Sequence, residues 1–158
     1  MLTEPFRKRN KCDGSSAAWY LVMMRKILVP TDGSPYSLRA AEYSAKLARE
    51  LDSKVSILHV SPYVPHVRAR ELVENEEKIG AEILSGTKEV FDKASVPVEV
   101  MTLEFGHPAD VICNVAERDG FELIVMGEKG TGEVKRFLLG SVADRVAHHA
   151  TCPVLIVR

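Results

Sequence analysis

The stretch Lys26-Ile27-Leu28-Val29-Pro30-Thr31, followed by Asp32-Gly33-Ser34-Pro35, indicates how this chain folds. Its first six residues form an apolar run, which predicts a buried β-strand. Ser34 is a favourable helix N-cap and Pro35 is favoured at the first helical position, so together they predict a helix start. Small apolar residues then recur at helical spacing, at positions 38, 41, 45 and 48. The stretch therefore predicts a strand, a tight turn and a helix.

The same alternation continues to the end of the chain. Apolar runs predict four more strands, at 55–60, 96–103, 123–126 and 153–157. Helical patterns predict three more helices, at 68–93, from 108 onward and at 142–149. Because the strands are nearly continuous apolar runs, the prediction is an α/β domain with one doubly wound, five-stranded parallel sheet and helices on both faces.

Two of these helices carry more detailed expectations. In the helix at 68–93 we expect an apolar stripe and two glycines that bend or interrupt it; the stripe is Leu72, Ile79, Ile83 and Val90, and the glycines are Gly80 and Gly86. In the helix that Pro108 opens, four residues are expected to point inward: Val111, Ile112, Val115 and Ala116.

Composition excludes several classes of protein. A length of 158 residues fits one domain, and a net charge of −1 gives no general affinity for nucleic acid or anionic membranes. No apolar run approaches the roughly 20 residues that span a bilayer. The three cysteines, Cys12, Cys113 and Cys152, include no CxxC pair, which argues against a disulfide framework or a zinc site and favours a cytoplasmic protein. Cys152 is expected to be a small packed thiol.

The first 23 residues are interpreted as a flexible extension, and residues 24–158 as the domain. The extension carries a basic cluster, Arg7-Lys8-Arg9, before the apolar stretch from Ala17 to Met24. Glu4 and Asp13 interrupt the positive region and no small-residue cleavage site follows, so a signal peptide is disfavoured. A solvated arm is the simplest interpretation.

A second informative stretch is Gly127-Glu128-Lys129-Gly130, followed after nine residues by Gly140-Ser141. It begins after the fourth predicted strand and ends where the last helix starts. Glycines three residues apart let a backbone pass close to a ligand, and a helix start presents N–H groups and a positive dipole end to a phosphate. The spacing predicts a nucleotide held at two points, with its ribose and inner phosphates at the first pair and its outer phosphates at the second.

Two polar residues near this predicted site have alternative roles. The Asp32 carboxylate either binds the ribose or adenine of a nucleotide or stabilises its own turn. Ser141 either binds phosphate or acts as the N-cap of the last helix, with Asp144 completing a capping box. The Walker A and G-x-G-x-x-G patterns are absent, so a P-loop enzyme and an ordinary Rossmann dehydrogenase are both excluded.

Five blocks of the chain, in order, resemble the universal stress protein family in its ATP-binding branch. The blocks are Val29–Ser34, Leu58–Val60, Gly106–Ala109, Val125–Gly130 and Leu138–Ala143. The resemblance extends from Lys26 to Arg158, and the chain meets the family's nucleotide signature G-x2-G-x9-G-[ST] in full. It implies an adenine-nucleotide α-hydrolase-like fold with sheet order 3-2-1-4-5.

The resemblance also implies a ligand, a site and a partner. The ligand is ATP, or AMP or ADP, with Mg²⁺ or Mn²⁺ held largely by the phosphates and no metal site made by side chains. Asp32 and the backbone around Val60 would contact adenine. The full implied set is Pro30, Thr31, Asp32, Val60, Met126, Gly127, Lys129, Gly130, Gly140, Ser141 and Val142. The partner is a second copy, which pairs through the last strand, Val154 to Val157.

The function that the resemblance implies is a nucleotide-dependent regulatory or signalling module of the stress response, with no catalytic residue. The alternative is a slow ATPase or nucleotidyl-transfer enzyme on the same site, for which histidines are the near-neutral acid–base candidates: His59, His107, His148 and His149. A nucleotide-free scaffold is a third hypothesis, disfavoured by the intact signature. The chain departs from the family at Glu128, where Ser or Thr is usual, because a carboxylate repels a triphosphate unless it points away or meets a metal. Gly132 is an extra glycine in the nine-residue loop.

Overall fold

The computed structural model describes residues 24–62, 70–132 and 139–158. Strands and helices alternate along these ranges: β1 Lys26–Pro30, α1 Pro35–Leu51, β2 Lys54–Pro62, α2 Arg70–Lys93, β3 Val98–Gly106, α3 Pro108–Arg118, β4 Leu123–Gly127, α4 Ser141–His149 and β5 Val154–Val157. The five strands form one parallel sheet in the order β3-β2-β1-β4-β5. The predicted fold class and strand order are confirmed. The extension 1–23 and the predicted helix start at Arg68 lie outside the described residues.

Two helices cover each face of the sheet, which produces two hydrophobic clusters. Alternate residues of a strand point to opposite faces. Ile27 and Val29 of β1 therefore pack with α1 and α2, whereas Leu28 packs with α3 and α4. Because β1 and β4 lie inside the sheet, both of their faces are covered, and this explains their continuous apolar runs.

The predicted start of α1 is confirmed. Ser34 is the N-cap, and its hydroxyl accepts a hydrogen bond from the Ser37 N–H at 3.2 Å, with Pro35 as the first helical residue. The helix places Ala41, Ala45 and other small side chains against the sheet. Small residues let the helix axis approach the strands closely, which allows a short turn between β1 and α1.

The α2 helix differs from the prediction in two ways. It is continuous through both glycines, and the predicted stripe is displaced by about one residue from the buried side: Leu72 and Ile79 are 50% and 42% exposed, while Val90 is half-buried and packs against the core. The buried side consists instead of Gly80, Leu84, Thr87 and Phe91. The positions of the apolar residues predicted the wrong face of α2, because a glycine and a threonine occupy two of the four buried positions.

Strand lengths differ from the prediction in a way that positions a cavity. The β1 strand ends at Pro30, which pairs with Leu58, but β2 continues to Pro62, where it pairs with Gly106 of β3. Strand β3 was predicted at 96–103 and runs from Val98 to Gly106. The sheet therefore has a step at its carboxyl edge, where β2 and β3 extend past the end of β1.

Both cysteines in the described part of the chain are half-buried free thiols beside the α3–α4 cluster. Burial is the main reason that the pKa of each thiol is raised, those of Cys113 and Cys152 alike. A packed thiol at Cys152 is thus confirmed. No helix in the described ranges has the length and apolar character needed to cross a membrane.

The two glycines of α2 provide a matched test of the packing between α2 and the sheet. A Cβ on Gly80 would lie 2.7 Å from Leu103 Cδ1 and 3.1 Å from His59 Cδ2, whereas a Cβ on Gly86 would have no neighbour within 4 Å. We expect Gly86→Ala to raise the free energy of unfolding by about 0.5–1 kcal/mol through helix propensity. Gly80→Ala should lower it by about 1 kcal/mol because of overpacking. Urea denaturation of both variants measures the difference; equal effects would contradict this packing.

Candidate functional site

A cavity of about 450 Å³ lies at the carboxyl edge of the sheet, over the end of β1. Open parallel sheets bind ligands at this edge, where the strand order reverses. All eleven residues of the predicted site line this one cavity, namely Pro30, Thr31, Asp32, Val60, Met126, Gly127, Lys129, Gly130, Gly140, Ser141 and Val142. Residues from three strand ends and one helix start, far apart in sequence, thus share one space.

The step between β1 and β2 forms one wall of the cavity. The Thr31 N–H donates to the Leu58 carbonyl at 2.9 Å, which is the last hydrogen bond between the backbones of the two segments along this edge. Alternate residues of a strand direct their backbone groups to opposite neighbours. The N–H and C=O of Val60, two residues beyond Leu58, therefore point into the space beyond the end of β1. A flat ligand with donors and acceptors on one edge can bind there as an added strand residue would.

Asp32 connects the first βα turn to the turn after β4. Its Oδ1 accepts from the Ser34 N–H at 3.1 Å, so Asp32 does stabilise its own turn. Its Oδ2 accepts from the Thr131 N–H at 2.9 Å, across the cavity. Both bonds are charge-assisted, and the second fixes the width of the cleft between two segments 99 residues apart in sequence.

The three signature glycines allow protein segments to approach one another. A Cβ on Gly130 would lie 2.6 Å from Asp32 Oδ2, and a Cβ on Gly127 would lie 2.7 Å from the backbone carbon of Tyr36. A Cβ on Gly140 would lie 2.9 Å from the Glu128 oxygen, and the Gly140 N–H donates to that oxygen at 2.8 Å. The glycines are needed because neighbouring protein atoms occupy the space that a side chain would take. This requirement adds to the close approach of a ligand, which the sequence suggested.

The α4 helix directs its N-terminus into the cavity. The predicted N-cap at Ser141, and with it the capping box to Asp144, is wrong: Gly140 is the N-cap and Ser141 is the first helical residue. The chain turns at Gly140 because Glu128 holds its N–H. The first bond within the helix runs from the Asp144 N–H to the Gly140 oxygen at 2.9 Å. The N–H groups of residues 141–143 therefore have no acceptor within the helix, and they carry the positive end of its dipole.

Charges at this end of the cavity are arranged to receive an anion. Lys129 lines the cavity with its side chain only 11% exposed, and its ammonium lies 5.9 Å from the centre of the Tyr36 ring. Glu128 is not among the lining residues, but its carboxylate lies 4.0 Å from the Lys129 ammonium as well as 3.5 Å from the Arg158 guanidinium. The carboxylate is therefore outside the cavity lining, and it offsets part of the charge of the lysine that borders the cavity. Gly132, the extra glycine, is exposed at the rim.

Several lining residues were not identified from sequence as ligand contacts. His59 and Glu76 lie on the β2–α2 side, with Ile79 and Ile83 beside them, and Pro108 and Ile112 come from α3. The sequence offered one signal for this wall, the isoleucines at 79 and 83 of a highly charged helix, but sequence reasoning assigned them to the core. Among the described histidines, His59 alone lines the cavity; His107 is exposed at the start of α3, and the pair at 148 and 149 is exposed at the end of α4. In the described ranges, no three His, Cys, Asp or Glu side chains converge on a common metal position.

Comparison with known proteins finds the same family by sequence and by structure. Residues 23–158 match the model of the universal stress protein family. The chain is 40% identical to universal stress protein MJ0531 of Methanocaldococcus jannaschii over 86% of this chain and 83% of that one. It is 37% identical to universal stress protein YxiE of Bacillus subtilis, over 86% of this chain and all of that one. A solved universal stress protein in complex with cAMP superposes with a TM-score of 0.71 at 26% identity, over 86% of this chain and 98% of the other.

Two glycines of the loop after β4 test the contact across the cleft. We expect Gly130→Ala to lower the free energy of unfolding by about 0.5–1.5 kcal/mol, because the new Cβ displaces the Asp32 carboxylate from the exposed hydrogen bond with the Thr131 N–H. Gly132→Ala, two residues away with no neighbour within 4 Å of its Cβ, should change that free energy by less than about 0.5 kcal/mol. Chemical denaturation in the absence of nucleotide measures both. Indistinguishable variants would show that the contact does not hold the cleft.

Proposed function

The chain belongs to the universal stress protein family, and we propose that it is a regulatory module of the stress response that binds an adenine nucleotide, foremost ATP, in this cavity. The observation that carries the proposal is the bond from the Thr131 N–H to Asp32. This bond brings a carboxylate to a glycine-lined turn, and the bond from the Gly140 N–H to the Glu128 oxygen brings the N-terminus of α4 to the same space. A ribose and a phosphate chain require these groups.

The α4 end suits the phosphates. The N–H groups of Ser141 and Val142 and the Lys129 ammonium border the same space. Backbone donors at a helix start combine with the dipole to bind anions, and a nearly buried ammonium strengthens the attraction. Gly127 and Gly130 bring the backbone of the same turn alongside, where the ribose and the α-phosphate would lie.

The β2 end suits the base. The backbone groups of Val60 face the cavity where β1 ends, and Met126 and Ile112 supply apolar surface for a ring. Asp32 lies between the two ends, within reach of ribose hydroxyls or of the base. The solved relative with cAMP, 26% identical, carries an adenine nucleotide, and this supports the same ligand class here.

A divalent cation would enter with the nucleotide. Mg²⁺ usually keeps several waters and is bound by one or two carboxylates together with substrate phosphates. Asp32 is the lining carboxylate nearest to the first glycine turn, but its two oxygens already accept backbone N–H groups. Mg²⁺ or Mn²⁺ is therefore expected on the phosphates, where its charge would offset theirs.

A regulatory role is favoured over catalysis by the kinds of group at the phosphate end. Backbone N–H groups and a lysine bind and orient phosphates, whereas hydrolysis also needs a group that positions water or accepts a proton. The histidine that lines the cavity lies on β2, away from α4. ATP bound in this way changes the surface of the protein for a partner without being consumed quickly.

We also propose that the protein is a cytoplasmic homodimer that pairs through β5. Val154–Val157 is an edge strand of the sheet, and its four side chains are all half-buried. An unpaired apolar edge tends to associate, and pairing two copies around a two-fold axis satisfies its backbone groups. Free half-buried thiols are typical of a reducing compartment.

Nucleotide binding is tested directly by calorimetry. Mg-ATP should bind with a micromolar dissociation constant. Gly130→Val should abolish binding, because the branched side chain displaces Asp32 and fills the ribose space. Gly86→Ala, on the outer side of α2, is the matched control and should bind as the unaltered protein does. Removal of residues 1–23 should also leave affinity unchanged if 24–158 is the functional domain. Absence of heat at millimolar Mg-ATP would contradict the proposal.

The dimer is tested by light scattering after gel filtration. The expected mass is twice the 17.5 kDa of one chain. Ile156→Lys should give a monomer with unchanged circular dichroism, because the half-buried Ile156 packs beside the α3–α4 cluster and a lysine there has to extend its charge to the exposed side of β5. Val100→Lys, a similar change at an exposed position of the opposite edge strand β3, should leave the dimer intact. A monomer in the unaltered protein, or equal effects of the two variants, would contradict pairing through β5.

A further inference from the structure

We propose that His59 determines which base the cavity accepts: its Nε2 takes a hydrogen bond from the exocyclic 6-amino group of a purine. The cavity then prefers 6-aminopurine nucleotides over purine nucleotides that lack this amino group. The inference rests on the proposed function and adds a specificity-determining side chain to it.

The proton on the His59 imidazole lies on Nδ1. His59 is only 7% exposed, and its Nδ1 lies 2.8 Å from the Thr31 carbonyl oxygen. A carbonyl oxygen only accepts hydrogen bonds, so Nδ1 carries the proton and donates it. In the neutral ring the other nitrogen, Nε2, is then an acceptor. The tautomer is set by the backbone of the first βα turn.

Nε2 of His59 is accessible at the cavity wall. The His59 ring has one hydrogen bond within the described ranges, the bond through Nδ1. Among the described residues, no fully enclosed side-chain nitrogen or oxygen lacks a hydrogen-bond partner. Nε2 therefore reaches accessible space, and His59 is a lining residue of the cavity. The protein thus carries a ring that is nine-tenths buried, lines the candidate site and has an acceptor with no hydrogen bond among the described residues.

The His59 ring is held rigidly by its neighbours. Thr31 is held at its N–H by the Leu58 carbonyl at 2.9 Å and at its hydroxyl by the Thr87 hydroxyl at 2.9 Å. On the α2 side, the ring packs against Gly80, where an added Cβ would lie 3.1 Å from His59 Cδ2. An acceptor fixed in this way discriminates between ligands better than a mobile one, because it cannot move to suit a different base.

His59 lies at the end of the cavity that is proposed to hold the base. Lys129 and α4 receive phosphates on the β4 side, while His59 lies on β2, across β1. Adjacent strands are about 4.8 Å apart, so β2 and β4 are separated by about 10 Å, a nucleoside's length. Glu76 lines the same wall, and its carboxylate accepts a hydrogen bond from the Ser61 hydroxyl. Acceptors on this wall favour an amine donor on the ligand.

The test compares ATP with purine riboside 5′-triphosphate, which differs from ATP by lacking the 6-amino group. Calorimetry with both nucleotides should give the unaltered protein about a fivefold preference for ATP, the effect of one hydrogen bond. His59→Asn places an amide where it can donate to the Thr31 carbonyl, as Nδ1 does, but has no atom at the position of Nε2. It should bind both nucleotides equally.

His59→Gln is the reciprocal variant, because its longer side chain reaches the position of Nε2 and gives up the bond to Thr31. It should keep a preference for ATP and melt at a lower temperature than His59→Asn. Equal binding of the two nucleotides by the unaltered protein, or a preference that survives in His59→Asn, would overturn the role of His59 while leaving nucleotide binding intact. Binding of neither nucleotide would overturn both. If His59→Asn does not fold, the ratio in the unaltered protein and in His59→Gln decides.

Discussion

The site depends on one contact, the hydrogen bond by which the Thr131 N–H reaches the Asp32 carboxylate across the carboxyl edge of the sheet. The contact requires that Gly130 have no side chain, because a Cβ there would lie 2.6 Å from Asp32 Oδ2. A Cβ on Gly127 would likewise clash with the backbone of Tyr36, and a Cβ on Gly140 would clash with that of Glu128. The glycine signature is therefore first a packing requirement. It builds the cleft in which a phosphate-bearing ligand then finds backbone donors.

A second constraint comes from the unequal lengths of neighbouring strands. Because β1 stops at Pro30 and β2 continues, the backbone of Val60 faces open space instead of a partner strand. The cavity thus has two chemically different ends. Helix-start N–H groups and Lys129 lie on the β4 side, and strand backbone with buried polar side chains lies on the β2 side. An elongated ligand with an anionic tail and a flat polar ring matches this division.

Much of the fold was predictable because the signals are local. Buried runs in β1 and β4, and the Ser34-Pro35 start of α1, are properties of adjacent residues. Strand order and the full set of eleven lining residues came from resemblance to a family, whereas the glycine pairs, Ser141 and Asp32 were already candidates from their types and spacing. Burial on α2 was misplaced because Gly80 and Thr87, neither strongly apolar, occupy its buried side. The N-cap of α4 was misassigned because Gly140 is fixed by a distant carbonyl, that of Glu128, which no local pattern reveals.

The most direct test of the account is a titration with Mg-ATP followed by amide NMR, which reports on each backbone N–H separately. The account predicts that the largest shifts fall on amides around the cavity in three separate segments: Val60, Gly130 with Thr131, and Ser141 with Val142. Amides on the outer side of α2, such as that of Gly86, should not move. Shifts confined to another surface, or no shifts at millimolar nucleotide, would contradict the claim that the cleft closed by Asp32 is the nucleotide site.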